Sequence, residues 1–396
     1  MTVTLSIDVI SGHCDLNLLE DPWRALIKRS ECLNPFLSWE WVSTWMRCFG
    51  SAVDPWILTA RDPSSRELVG LAPLVLRRFP DRRLGPYTEL SVLGATAAAP
   101  DHLDVMAEAD RGEAVSAAFA AHISELGRWD TFRLHGISSE SLLITSLLRQ
   151  TSVGRRVVWE SHCPFITLPS TWEEFESGLT KKVRYNLRSR SRRLEKDTDG
   201  QVAYQTISAG SGVTDAMCEV FRLHQGVRRA RGDDGAFADA RVRDFHRQIA
   251  TLFSHNGWLR LHLLLVRGEA IGAVYSFRYG DTVYFYQTGH DQAWARYGPG
   301  SAIVAYSIRA SIEEGAAEFD FLRGDEPYKY QWTSQVRSDM RGWVSRGAKG
   351  SLLVAGYAFG LSSRRALRRL GAMQARTLKQ GRAVVSRRRL GVSGIS

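Results

Sequence analysis

Residues 282–332 read TVYFYQTGHDQAWARYGPGSAIVAYSIRASIEEGAAEFDFLRGDEPYKYQW, and how this stretch divides decides the fold. Thr282 to Gln287 alternates β-branched and aromatic residues, which predicts a strand. Ser301 to Glu314 carries apolar residues at helical spacing, and Glu318 to Leu322 predicts a second short strand. Between the first strand and the helix stands Tyr297-Gly298-Pro299-Gly300-Ser301. Its glycines allow a tight turn that presents consecutive N–H groups at a helix N-terminus, which suits a phosphate or pyrophosphate; an ordinary helix start is the plainer alternative. Behind the second strand, Asp320 to Trp332 gathers Asp320, Arg323, Asp325, Glu326, Lys329, two tyrosines and a tryptophan. The end of a core strand does not normally carry so much polar chemistry, and functional residues concentrate on such loops.

Working outward, 396 residues at 44% hydrophobic and 24% charged are enough for two domains and a tail. Cys14, Cys32, Cys48, Cys163 and Cys218 are scattered and odd in number, with no C-x-x-C. They predict neither a disulfide framework nor a metal site, and fit a reducing cytoplasm. The first ten residues lack a basic start and a long apolar core, and the longest apolar run, 352–361, is too short to span a bilayer. The formal net charge of +10 belongs to the tail: eleven Lys/Arg and no acid follow from Lys349 onward, so the preceding part is nearly neutral.

Before the decisive stretch, residues 3–10, 56–60, 68–77, 88–93, 131–135 and 155–160 predict strands. Residues 16–30, 38–45, 111–126 and 139–150 predict helices, giving a mixed α/β unit. Trp41 and Trp45 share a helix face after a Ser38 cap, a spacing that favours core over ligand cradle. Asp101 to Met106 alternates acids with apolar residues; it reads as a half-buried strand, or else Asp101 and His102 face an interdomain cleft. Pro164 to Ser170 opens the second half. There 181–196 is a helix with eight cations against one acid, either a solvated face or the seat of an anionic partner. His224 and Arg228 lie four apart on the helix 213–231. Strands at 258–267, 270–279 and from 282 form an antiparallel meander that feeds the glycine turn, with 336–344 as a closing strand.

Gly289-His290-Asp291, Tyr297, Pro299-Gly300, Gly315, Asp320-Phe321, Arg323-Gly324-Asp325 and Tyr328-Lys329 together resemble the acetyltransferases grouped with the cellulose-biosynthesis protein CelD, within the GNAT superfamily. The Asn34-Pro35-Phe36 turn with its tryptophan helix, and the basic helix at 181, are similar to elements of that family. One departure is that Ala295 stands three residues before the first glycine, where the general GNAT phosphate loop has Gln or Arg. The resemblance implies an α/β (α+β) chain of tandem GNAT-like domains with mixed central sheets: a degenerate N-terminal domain at 1–165, an acyltransferase domain at 166–347 and a basic helical tail at 348–396.

It also implies acetyl-CoA or another acyl-CoA as co-substrate, with no metal. Gln287, Tyr297, Gly298, Gly300 and Ser301 would face the cofactor, and an oxyanion site would lie around Tyr286 to Gly289. Asp320, Asp325 or Glu326 is the expected base, with His290 and His224 as alternates. Tyr328 would protonate the leaving thiolate. His224, Arg228, His290, Arg323, Lys329 and Trp332 would hold the substrate, with Arg323 and Lys329 on an anionic group of the acceptor or on the CoA phosphates. The expected activity is acyl transfer, of acetyl in the first instance, to a sugar or to an envelope or exopolysaccharide precursor, in the cytoplasm. Arg365, Leu367 and Leu370 suggest that the tail lies peripherally on an anionic membrane, or it serves as a solubilising extension. The rivals are a Fem-like transferase that takes aminoacyl-tRNA on a tandem fold of this kind, and a non-catalytic scaffold of a polysaccharide-synthesis assembly. Nucleic acid other than tRNA is not expected.

Overall fold

The computed structural model describes residues 5–30, 34–95, 98–150 and 153–359. Its strands are β1 (Ser6–Ile10), β2 (Asp54–Arg61), β3 (Leu68–Phe79), β4 (Tyr87–Val92), β5 (Met106–Ala107), β6 (Thr131–Ser138), β7 (Val153–Thr167), β8 (Val202–Ile207), β9 (Leu259–Val266), β10 (Glu269–Tyr279), β11 (Thr282–His290), β12 (Glu318–Asp320) and β13 (Val336–Arg346). The helices are α1 (His13–Leu16), α2 (Glu20–Arg29), α3 (Trp39–Phe49), α4 (Gly112–Leu126), α5 (Leu142–Leu148), α6 (Trp172–Gly178), α7 (Lys181–Asp197), α8 (Gly212–Ala230), α9 (Ala240–His255) and α10 (Pro299–Glu313).

All strands join one mixed sheet in the order β1-β2-β3-β4-β6-β13-β7-β12-β11-β10-β9-β8, with β5 on β3. Two strands weld the halves. β7 pairs antiparallel with β13 over Val153 to Pro164, then with β12 over Phe165 to Thr167. The expected domain boundary between residues 165 and 166 falls inside this one continuous strand, close to where its partner changes from β13 to β12. β13 does not close the meander of the second half. It crosses back and inserts between β6 and β7 of the first.

The strand expected over 101–106 shrinks to β5, because His102 adopts a left-handed φ of 54° and turns the chain into the seam between the halves. The tryptophan helix α3 is capped by Ser38 Oγ accepting from the Trp41 N–H at 3.3 Å. Trp41 and Trp45 are buried, and Trp41 packs edge-on against Phe245 of α9 at 4.9 Å, so this stripe is core.

Alternation along the strands decides which helix covers which face. Leu259, Leu261, Leu263, Tyr284 and Tyr286 pack in one core with α8, α9 and α3. Leu264, Val266, Val283 and Phe285 pack in a second with Ile303, Val304, Ile308 and Ile312 of α10. Helices α8 and α10 therefore flank opposite faces of the sheet. Residues 347–359 are helical. The basic tail beyond them, with Arg365, Leu367 and Leu370, lies outside the described residues. Among the described residues, no helix is long and apolar enough to cross a membrane.

Candidate active site

Strands β11 and β12 run parallel and pair only over Thr282–Glu318, Val283–Phe319 and Tyr284–Asp320. β12 then ends while β11 continues to His290, so the two part company. On its other edge β11 pairs with β10, but the register jumps from Phe285–Ser276 to Gln287–Tyr275, leaving Tyr286 as a bulge. A bulge unpairs backbone amides and re-aims them. The Tyr286 side chain turns to the α8 face, where its hydroxyl donates to the Ala98 carbonyl and meets His246 Nε2 at 3.2 Å. The bulge is thus anchored to the N-terminal half.

A cavity of about 330 Å³ occupies the gap. Phe285 to Thr288 and His290 line one side, Phe321 to Arg323 the other, and Ala99 and Asp101 reach in from the N-terminal half. From the second-core face come Gly298, Pro299, Gly300 and Ser301 at the start of α10. Gly298 is left-handed at φ 64°, and the helix has no side-chain cap, so its first N–H groups have no side-chain acceptor at that end. His290 borders the turn: a Cβ on Gly300 would lie 3.0 Å from its Nδ1. Burial, then the charge of Arg231, lower the His290 pKa. The basic helix α7 lies alongside, with the Arg190 guanidinium 2.8 Å from where a Cβ on Gly298 would stand.

From the opposite face α8 presents His224, Val227 and Arg228 to the cavity, with Arg231 just past its C-terminal end. His224 is 2% exposed, and its Nε2 has no hydrogen-bond partner among the described residues. Its tautomer follows from its neighbours. Gln225 Nε2 donates to the Asp234 carbonyl at 2.8 Å, which fixes the amide so that Oε1 faces His224 Nδ1 at 3.3 Å. An amide oxygen only accepts, so Nδ1 carries the proton and Nε2 keeps a free lone pair. Burial, then the charge of Arg228, push this imidazole down to about 4, so it is neutral at physiological pH.

The close approach of α8 to β11 rests on Gly289. A methyl there would lie 2.3 Å from the His224 backbone nitrogen and 2.5 Å from the Leu223 carbonyl carbon, atoms that cannot rotate aside. Gly289→Ala is expected to cost about 1–3 kcal/mol and to displace α8 from the bulge. Urea denaturation checks this, and a variant as stable as the parent refutes it.

Of the residues singled out in the sequence, the fold brings Gln287, Gly298, Gly300, Ser301, His224, Arg228, His290, Arg323, Glu326, Tyr328 and Lys329 to this one cavity. Some of them are committed elsewhere. The Lys329 ammonium donates to the Leu322 and Arg323 carbonyls at 3.1 and 2.8 Å and pairs with Glu326 at 3.0 Å. The Arg323 guanidinium is held by Asp101 at 3.0 Å. Burial and the Glu326 charge raise the Tyr328 pKa, against Arg228 and Arg231.

Four residues do not line the cavity. Asp320 is fully buried behind it, accepting from the Leu322 N–H at 2.6 Å and ion-paired with His102 Nε2 at 3.2 Å. Asp325 points outward to His162 and Tyr330. Tyr297 is packed in the core, its hydroxyl donating to Asp197 at 2.8 Å, and Trp332 is 4% exposed in the same core. In each case the backbone places the residue near the site while the side chain is used in packing or ion pairing. Gln225 was not foreseen, since an exposed-looking glutamine beside a histidine carries no signal until α8 is in place.

A profile of the acetyltransferase (GNAT) domain family matches residues 181–330. No curated protein sequence matches the chain. Among solved structures, FemX superposes with a TM-score of 0.57 at 10% identity, covering 88% of this chain and 98% of FemX. A conserved protein of unknown function from Bacteroides thetaiotaomicron superposes at 0.53 and 12% identity, covering 86% of this chain and all of that one. These likenesses speak to the fold. Residues 181–330 are an acetyltransferase (GNAT) domain, and the chain that carries it is an acyltransferase.

Proposed function

We propose that the chain transfers an acyl group, acetyl in the first instance, from acyl-CoA to a sugar or envelope-polysaccharide precursor. The observation that carries the donor half is the parted β11 and β12 opening onto the uncapped start of α10. Acyl transfer from a thioester needs an in-line nucleophile, a proton acceptor and donors for the developing oxyanion. In this reading the pyrophosphate lies on Gly298 to Ser301 and the thioester carbonyl meets amides freed by the Tyr286 bulge. The acceptor enters from the α8 face and gives its proton to His224 Nε2. Tyr328, on the wall between them, returns a proton to the thiolate. Asp320 does not act as base here, because it has no surface in the cavity. The acceptor class rests on the resemblance to CelD-like proteins.

Calorimetric titration with acetyl-CoA and longer acyl-CoAs tests the donor. Micromolar to low-millimolar binding is expected, weakened at least tenfold in Gly300→Trp, whose indole fills the turn. If no acyl-CoA binds, the donor assignment fails and aminoacyl-tRNA becomes the donor to test.

A second reading is favoured by α7, whose Arg190 and Arg193 flank Gly298 and the Tyr297 ring. Aminoacyl-tRNA in place of acyl-CoA would then bind with a steep salt dependence that an α7 charge-reversal variant abolishes.

A further inference from the structure

Acyl transfer leaves unused a half-exposed face of the N-terminal sheet whose charges do not balance. On β13, Arg341 stands opposite His135 of β6 and Trp159 of β7, while Trp343 stands opposite Arg133 of β6. Opposed residues share a face, so these five form one patch. Arg323 completes it from the second half: its Nη1 lies 3.3 Å from where a Cβ on Gly136, next to His135, would stand.

Two of the three guanidiniums have carboxylates. Arg323 pairs with Asp101 at 3.0 Å, and Arg133 has Glu89 at a loose 3.9 Å. Arg341 has no ion-pair or hydrogen-bond partner for its side chain among the described residues, and its Nε is shielded from solvent. Burial and then the Arg323 charge, with Arg133 behind it, lower the Arg341 pKa, against the Asp101 carboxylate that Arg323 already holds. Burial first, then Arg323, Arg341 and Arg133, push His135 down to about 3, so the imidazole stays neutral. A half-buried cation beside like charges is unfavourable unless an anion offsets it.

Planar guanidinium forks match phosphate oxygens. Beside them lie two half-buried indoles. Trp343 has one face covered by Tyr357 at 4.7 Å, its N–H donates to Glu89 at 3.2 Å, and its ring tilts against Trp159 at 6.0 Å, so the apolar edge of the patch is the Trp159–Trp343 pair. We propose that this face binds a phosphate ester carried on a ring-bearing small molecule, the phosphate held by Arg341, Arg133 and Arg323 and the ring resting on Trp159 and Trp343. This site is separate from the donor turn on α10, but Arg323 borders both, so the two ligands would be neighbours.

The test is calorimetry on the full chain with glucose 6-phosphate as probe and inorganic phosphate as comparison, alongside Arg341→Gln and Arg133→Gln. The expected result is binding to the parent, at least tenfold weaker in each variant, with acetyl-CoA titration unchanged and inorganic phosphate weaker than the sugar phosphate. Melting curves without probe report folding. Arg341→Gln should melt no lower than the parent, since it removes an unbalanced charge, while losing the probe-induced rise. Should it melt lower, Arg133→Gln and the charge-keeping Arg341→Lys decide. Equal affinity across parent and variants, or no binding of either probe to the parent, overturns the proposal. Because the readout is probe binding, its failure is distinct from failure of the acyl-CoA reading.

Discussion

Replacing His224 by alanine is expected to lower kcat for acyl transfer by about 10²–10⁴-fold, the usual span for losing a positioned general base, while leaving the acyl-CoA dissociation constant within a few-fold of the parent. The split follows from geometry. His224 approaches from the α8 face, and the donor turn belongs to α10 on the opposite face. An imidazole at about 4 is a weak base in the free enzyme. Burial is the larger cause of the shift and the Arg228 charge the smaller, so an anionic group of the acceptor beside Arg228 would raise the acid limb in the ternary complex above that of the free enzyme. The sign is fixed: a base must be unprotonated, so activity falls as pH drops through the imidazole pKa, and His224→Ala should erase that limb. Gln225→Leu gives a further readout. It leaves the imidazole in the cavity but removes the acceptor that sets the tautomer, so kcat should drop with little change in KM. A His224→Ala enzyme with parental kcat would end the assignment.

Much of this site was legible in residues 282–332, because its chemistry is local. A strand, a glycine turn and an uncapped helix are written in consecutive residues, and the structure places Gly298, Gly300 and Ser301 where that pattern predicts. Which acidic group faces the cavity is not local. Asp320 and Asp325 lie on one short stretch, yet one is fully buried and the other exposed, and the difference is set by His102 and His162, more than 160 residues upstream for Asp325. The same limit explains β13. Its alternation predicts a strand, but nothing in Val336 to Arg346 says that it pairs with β6 and β7. Asp101 was ambiguous in sequence for a related reason: its cleft is built from both halves.

The largest expected effect on stability is at His102. This histidine, from the first half, stands between two fully buried carboxylates of the second, with Nδ1 2.8 Å from Asp339 and Nε2 3.2 Å from Asp320. Its backbone N–H also donates to Asp339 at 2.8 Å. Arg337 adds a cation 3.4 Å from Asp320. Burial alone would lower the His102 pKa, but the charges and hydrogen bonds of Asp320 and Asp339 outweigh it and hold it well above the usual value. Burial alone would likewise raise Asp320, yet His102 and then Arg337 hold it below its usual value. The ring is therefore an imidazolium that joins the halves. It also supports strained backbone, since His102 and Leu322 are both left-handed, at φ 54° and 56°.

His102→Ala leaves two buried carboxylates short of a cation, which should cost about 3–5 kcal/mol of unfolding free energy, a large share of the roughly 5–15 kcal/mol that holds a typical protein folded. The pH dependence separates this from simple loss of packing. A histidine whose folded pKa is raised contributes its full stabilisation below its unfolded value near 6.5. That contribution is lost as pH rises through the folded value. Asp320, whose folded pKa is lowered, contributes above its unfolded value of 3.8 and loses that contribution as pH falls through the folded one. Parent and variant should therefore differ most between these limits, and converge on the alkaline side. Leu322 and Arg323 line the cavity, so the variant should also bind acyl-CoA more weakly than the parent. Urea titrations over a pH series that starts at pH 6 and runs upward decide the matter: a difference below about 1 kcal/mol at pH 6 would show that the imidazolium does not hold the two halves together.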